Sequence, residues 1–167
     1  MADEVKIENI RDAITIIENT LLEEVKKLDQ RDQVIVERAI TIDEYDPKHV
    51  RGGIGILYSG STYEKTTRGP SLLMKRIIRI GLLVSIRFID NPNNKTESFT
   101  SMMPAEYVDF IVDACSGIKI FNHLPENENK TYPVADEIVS EKDYKWKYLV
   151  TIGVPVDYVE RSLRKNL

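Results

Sequence analysis

Residues 76–90, RIIRIGLLVSIRFID, alternate so regularly that few architectures can accommodate them. Ile78, Ile80, Leu82, Val84, Ile86 and Phe88 fall on one side, and Arg79, Gly81, Ser85 and Arg87 on the other. A repeat of two is the repeat of a β-strand. One apolar and one polar side mark an antiparallel sheet that is covered on a single face. KWKYLVTIGVPV at 145–156 repeats the pattern through Trp146, Tyr148, Val150, Ile152, Val154 and Val156. GIGILYS at 53–59 sends Ile54, Ile56 and Tyr58 to one side, and the β-rich QVIVERAITI at 33–42 alternates less cleanly.

Such a sheet needs a cover. Ile7, Ile10, Ile14, Ile17, Leu21, Val25 and Leu28 recur at spacings of three and four, which predicts an amphipathic helix over 5–28. A second helix is predicted over 104–116. It has Pro104 in the first turn, Tyr107, Ile111, Ala114 and Cys115 on its apolar stripe, and Gly117 as its stop. NHLPENENKTYPV at 122–134 reads as a polar loop, and the tail YVERSLRKNL as a final helical turn. The expectation is an α+β domain spanning 1–167: a twisted antiparallel sheet of about four strands with two helices packed on one face.

Composition narrows the chemistry. A lone cysteine, Cys115, excludes an internal disulfide framework and suits a reducing compartment. No apolar run reaches the roughly 18 residues of a membrane span, so a cytoplasmic chain with no membrane partner is expected. The net charge of −4 argues against general nucleic-acid binding. The charge is uneven, however: residues 1–50 hold 13 acids against 7 bases, while 64–79 hold Lys65, Arg68, Lys75, Arg76 and Arg79 against Glu64. An acidic body beside a basic stretch suits an oriented contact.

Motifs for catalysis fail on inspection. GSTYEKTT, from Gly60, approaches a phosphate loop, but Glu64 occupies the position that needs glycine, and a strand follows where a helix must begin. GGIG at 52–55 enters a strand, which fits a bulge or a close backbone approach better than a dinucleotide fingerprint. Asp43, Glu44, Asp46 and His49 lack the spacing of a calcium loop. His123 has no partner near in sequence, and Cys115 lies on an apolar stripe. No catalytic, cofactor or metal residue is nominated, and the chain is not expected to be an enzyme.

Outside 28–50, element order and local pattern resemble the family of Mu-like prophage tail proteins that act as tail terminators. The resemblance is carried by the N-terminal helix, the strand end ILYSGS, the long strand IIRIGLLVSIRFID and the helix closing in ACSGIKI. Its most specific part is YPVADEIVSEKDYKWKYLVTIGVPVDYVE: a loop, an acidic turn, an aromatic strand and a closing Val-Glu. The resemblance implies a virion or tail-like-particle protein that caps the tail tube and sheath as a sixfold ring. Such a ring ends polymerisation and offers a surface to head-joining or cap proteins, with DNA as a candidate passenger through its lumen. It brings no catalytic residues, and it implies assembly in the host cytoplasm before incorporation into the particle.

Tyr63, Lys65 and Arg68 in the loop after ILYSGS, with Lys75, Arg76, Arg79 and Arg87, are the candidate residues for contacts between subunits or with the tube. Two other readings compete. A small cytoplasmic ligand-binding or adaptor module would show a concave apolar pocket, and an enzyme would need a pocket joining residues such as Asp46, His49 and His123.

Overall fold

The computed structural model describes residues 5–65, 73–88, 100–122, 124–142 and 144–159. Its elements run β1 (Val5–Lys6), α1 (Ile10–Val25), β2 (Ile35–Arg38), β3 (Gly52–Lys65), β4 (Leu73–Arg87), α2 (Glu106–Cys115), β5 (Ile120–Phe121), β6 (Tyr132–Lys142) and β7 (Lys145–Val159). The architecture is α+β. Five strands form the main sheet in the order β2-β3-β4-β7-β6, and β1 pairs with β5 in a separate two-stranded parallel piece.

The alternation places the core correctly. Ile54, Ile56, Ile78, Ile80, Leu82, Val84, Ile86, Val150, Ile152, Val154 and Val156 are buried in one cluster with Ile17 and Leu21 of α1 and Tyr107 and Ile111 of α2. Both helices cover the face carrying these residues. Cys115 is part of that core, and burial pushes its thiol up to about 12, with a smaller contribution from Glu24.

Local details differ from expectation. The first helix is shorter than 5–28. The Asn9 side chain accepts from the Asp12 N–H, the Asp12 carboxylate accepts from the Glu8 N–H, and these two bonds cap a helix that starts at Ile10. Ile7 is buried ahead of the helix, so its place in the core needs no helical geometry. The α+β sheet is mostly antiparallel as expected; it has five strands where about four were expected, and β2 runs parallel to β3. The predicted loop 122–134 stops short, since β6 begins at Tyr132 and fills the stretch read as an acidic turn.

The face opposite the helices is also not simply polar. Segment 39–47 folds over it, and Tyr45 packs with Leu57, Leu83 and Leu149 in a second cluster. Glycines make room for that ring: a Cβ at Gly53 would lie 2.6 Å from the Tyr45 hydroxyl, and one at Gly55 2.9 Å from Tyr45 Cζ. GGIG is therefore a close-approach motif, as its place at a strand start suggested. Of the tail 158–167 expected to add a helical turn, Tyr158 and Val159 instead close β7, and 160–167 lie outside the described residues.

Candidate functional site

Beyond Leu57 the β3–β4 ladder continues with Thr62 opposite Ile77, Tyr63 opposite Arg76 and Lys65 opposite Met74, and β7 runs beside β4 as far as Val159, so this arm of the sheet is three-stranded. The stretch expected as a loop from Gly60 to Ser71 is thus strand as far as Lys65. A bulge lies between Tyr58 and Ser61, and Gly60 inside it adopts a φ of +97°, which glycine tolerates without strain. The bulge resets the alternation, so Ser61 and Tyr63 share the helix-side face with Ile78 and Arg76.

An aromatic and cationic cluster is built there. Tyr58 OH and Ser61 Oγ are 3.0 Å apart, and Arg76 Nε donates to the same Ser61 Oγ at 3.1 Å. The Arg76 guanidinium lies 5.6 Å from the centre of the Tyr63 ring, which meets Tyr158 edge-on at 5.5 Å. The Ser61 hydrogen bond, followed by Arg76 and Arg79, holds the Tyr58 hydroxyl below the ordinary tyrosine range against a weaker effect of burial. Tyr58 and Tyr63 remain 42% and 50% exposed, so rings fixed by this network still face outward. Exposed tyrosines beside an arginine are a composition enriched at protein contact surfaces.

The other candidates separate. Lys75 points to the opposite face, and its side chain pairs with Glu128 at 3.7 Å. Arg79 is on that same outer face and reaches over Gly60, where a Cβ would lie 3.1 Å from its Nη2. Its Nε is buried with no hydrogen-bond partner among the described residues. Arg87 is at the far end of β4, donating to Pro47 O at 3.4 Å and lying 3.9 Å from Asp46. Lys65 keeps its place in the ladder, but its side chain, like the whole of Arg68, lies outside the described residues. The arm therefore gathers Tyr63, Arg76 and Arg79, while Lys75 and Arg87 are engaged within the chain.

The acidic turn is tied into the fold. Asp46 accepts from Lys145 Nζ at 3.1 Å; that hydrogen bond, with Arg87 and Lys147 nearby, keeps its carboxyl below the usual range. His49 accepts from the Arg51 N–H, and burial, then Arg51 and Arg87, hold its imidazole below the ordinary value. His123 lies outside the described residues, and among those described no three His, Cys, Asp or Glu side chains gather to hold a metal ion. A groove of about 420 Å³ is lined by Lys142, Lys145 and Lys147, but Lys145 is paired with Asp46 and Lys147 donates to Tyr45 O.

Residues 61–65 are laddered against β4 and do not wrap a phosphate. Lys65→Ala is accordingly expected to leave ATP titrations as flat as those of the parent chain. Micromolar binding that disappears in the variant would contradict this.

Sequence reasoning missed the β6 edge, which exposes Val134, Asp136, Glu137 and Ile138. No protein-family model and no curated protein matches the chain. Among solved structures it is similar to a chain of "Virion of native gene transfer agent (GTA) particle", at 7% identity and a TM-score of 0.49, covering 84% of this chain and 94% of that one. At that distance the likeness carries no functional argument. Among the described residues no helix is long and apolar enough to cross a membrane.

Proposed function

We propose that this chain is a structural subunit of a phage or phage-tail-like particle, one that closes into a ring and terminates the tail tube and sheath. The observation that carries the reading is the arm. The outer part of β3 and β4, with Tyr58 and Tyr63 half exposed and Arg76 fixed beside them, offers a surface suited to contact with another protein. The sequence resemblance supplies the identity of that protein: further copies of the chain, the tube and sheath, and the head-joining or cap proteins. No catalytic role is assigned: Asp46 is paired with Lys145 of β7, and His49 accepts from the nearby Arg51 N–H.

Deleting the protein from a producing host should leave tubes or sheaths of irregular, overlong length in electron micrographs. Particles of normal length and full assembly from a clean deletion would sink the terminator reading.

A further inference from the structure

The main sheet is open at both ends. At one end β6 pairs with β7 and, among the described residues, with nothing on its other side. At the opposite end β2 covers β3 from Gly53 to Ile56, and the last hydrogen bond on that side runs from the Ala39 N–H to Ile56 O. From Leu57 to Lys65 the outer edge of β3 is unpaired among the described residues. Long bare edges offer rows of unmet amides and carbonyls, and proteins normally shorten or cover them. Here β6 also carries Val134 and Ile138, at 44% and 67% exposure.

We propose that β6 of one copy adds to the free half of β3 in a second copy, joining their sheets edge to edge. The contact is heterologous: each copy brings two different edges, which is the arrangement that lets a ring grow and close. Within one copy β3 and β6 run in opposite directions, since each step from β3 through β4 and β7 to β6 is antiparallel. Copies related by rotation about an axis along the strands therefore meet as an antiparallel pair.

The bulges choose the register. In β6 the ladder is irregular at Pro133/Ala135 and again at Ile138/Ser140, leaving 135–138 regular. In β3 the regular run starts at Ser61, after the Tyr58/Ser61 bulge. Laying 135–138 against 61–64 sets Asp136 opposite Tyr63 and Glu137 opposite Thr62. Faces agree in this register. Asp136 is level with Val150 and Tyr63 with Arg76 and Val156, all on the helix side, whereas Glu137 and Thr62 are level with Leu149 and Ile77 on the outer side. A slip of one residue would turn every side chain to the wrong face.

Charge is complementary in the same register, once on each face. Asp136 arrives beside Tyr63, over whose ring Arg76 lies. Glu137 arrives near Gly60, across which Arg79 extends with its Nε unmet. Both acids are exposed, and neither has an ion pair among the described residues. Gly60 is then explained twice: it forms the bulge, and its missing side chain opens the outer face to the arginine.

The offset also suits closure. Whereas β6 is level with Lys145–Gly153 of β7, the free half of β3 is level with Thr151–Tyr158. Each junction therefore steps about six residues over about four strand widths, a tilt near 45° at the usual strand spacings, which borders the range of closed barrels. The proposal rests on the terminator reading for its closed ring, while the strand pairing itself is testable on the purified chain.

Sedimentation velocity across a concentration series reads it. The parent chain should associate, and Ile138→Lys on β6 or Thr62→Lys on β3 should each weaken association about tenfold or more by putting a charge on an edge. Both positions are exposed, so melting should not change. An equimolar mixture of the two variants should form dimers that grow no further, because each retains one working edge. Glu137→Arg should weaken association, and adding Arg79→Glu in the same chain should recover it. A parent chain that stays monomeric throughout, or association indifferent to both lysines, overturns the proposal. Overlong tubes on deletion together with that result would keep the terminator reading and remove this contact.

Discussion

Asp32→Ala should destabilise the protein by about 3 kcal/mol, near the upper end of what one polar side chain contributes. Asp32 is 4% exposed and fastens the turn before β2 to the turn before α2. Its Oδ1 accepts the N–H groups of Ser101 at 2.7 Å and Met102 at 2.9 Å, and its Oδ2 accepts the Ser101 hydroxyl at 2.6 Å. Its own carbonyl accepts the buried Tyr107 hydroxyl at 2.7 Å, so the same residue also positions α2. Alanine leaves two amides and a hydroxyl without their acceptor in a place that water reaches poorly, and charge-assisted bonds are the costliest to lose.

Asparagine discriminates the cause. Its carbonyl oxygen can take over both amides, and its NH2 can donate to the Ser101 hydroxyl, which also accepts. Asp32→Asn should therefore cost about 1 kcal/mol. Urea unfolding followed by circular dichroism measures both. Equal losses for alanine and asparagine would mean that the charge, and not the acceptor geometry, carries the clamp.

The strongest signals in the sequence were those that the hydrophobic core writes. IIRIGLLVSI and WKYLVTIGVPV each bury one face under helices, so their alternation is enforced, and β4 and β7 appear where it predicts them. By contrast β6 buries almost nothing: ten of its 11 residues are exposed and one is half-buried, so no apolar period marks it and Pro133 suggests a loop. Proline on an edge strand costs little, because its missing N–H can face away from the ladder. The arm escaped for a related reason. Ser61, Thr62, Tyr63 and Glu64 are polar or amphipathic on both faces, so the strand continues past the point where its pattern stops.

Direction and partnership are not written in periodicity at all. Nothing in QVIVERAITI states that β2 runs parallel to β3, because that depends on the crossover through segment 39–51. Arg79 and Arg87 looked equivalent on the polar side of one strand, yet the fold gives them opposite fates. Arg87 falls beneath segment 39–47 and finds Asp46 and Pro47, whereas Arg79 lies over a glycine near an open edge. The candidate site was thus legible as a set of residue types, and its geometry came from the bulge and from which edges the topology leaves bare.

Gly52→Ala should cost at least about 3 kcal/mol, because strain and collision coincide there. Gly52 has a φ of +121°, a conformation that side-chain-bearing residues rarely adopt. A Cβ would also lie 2.0 Å from Ser85 O and 2.9 Å from Ile86 Cα. Both obstacles are backbone atoms of the neighbouring strand, so no rotamer change relieves them. Relief by moving β4 is blocked as well. Gly52 is paired opposite Ile86, whose side chain is fully buried, and the adjacent Arg87 N–H is bonded to Arg51 O at 3.0 Å. The alanine must therefore open the start of the β3–β4 ladder, which also carries segment 39–47 through Arg87 and Pro47. Gly117→Ala separates the two contributions. Gly117 has a φ of +77°, but a Cβ there meets nothing within 4 Å, so that variant bears the conformational cost alone, about 1 kcal/mol. Paired urea curves should place Gly52→Ala well below Gly117→Ala in midpoint. Coincident curves would show that the strand start rearranges freely and that Gly52 is kept for its dihedral angle alone.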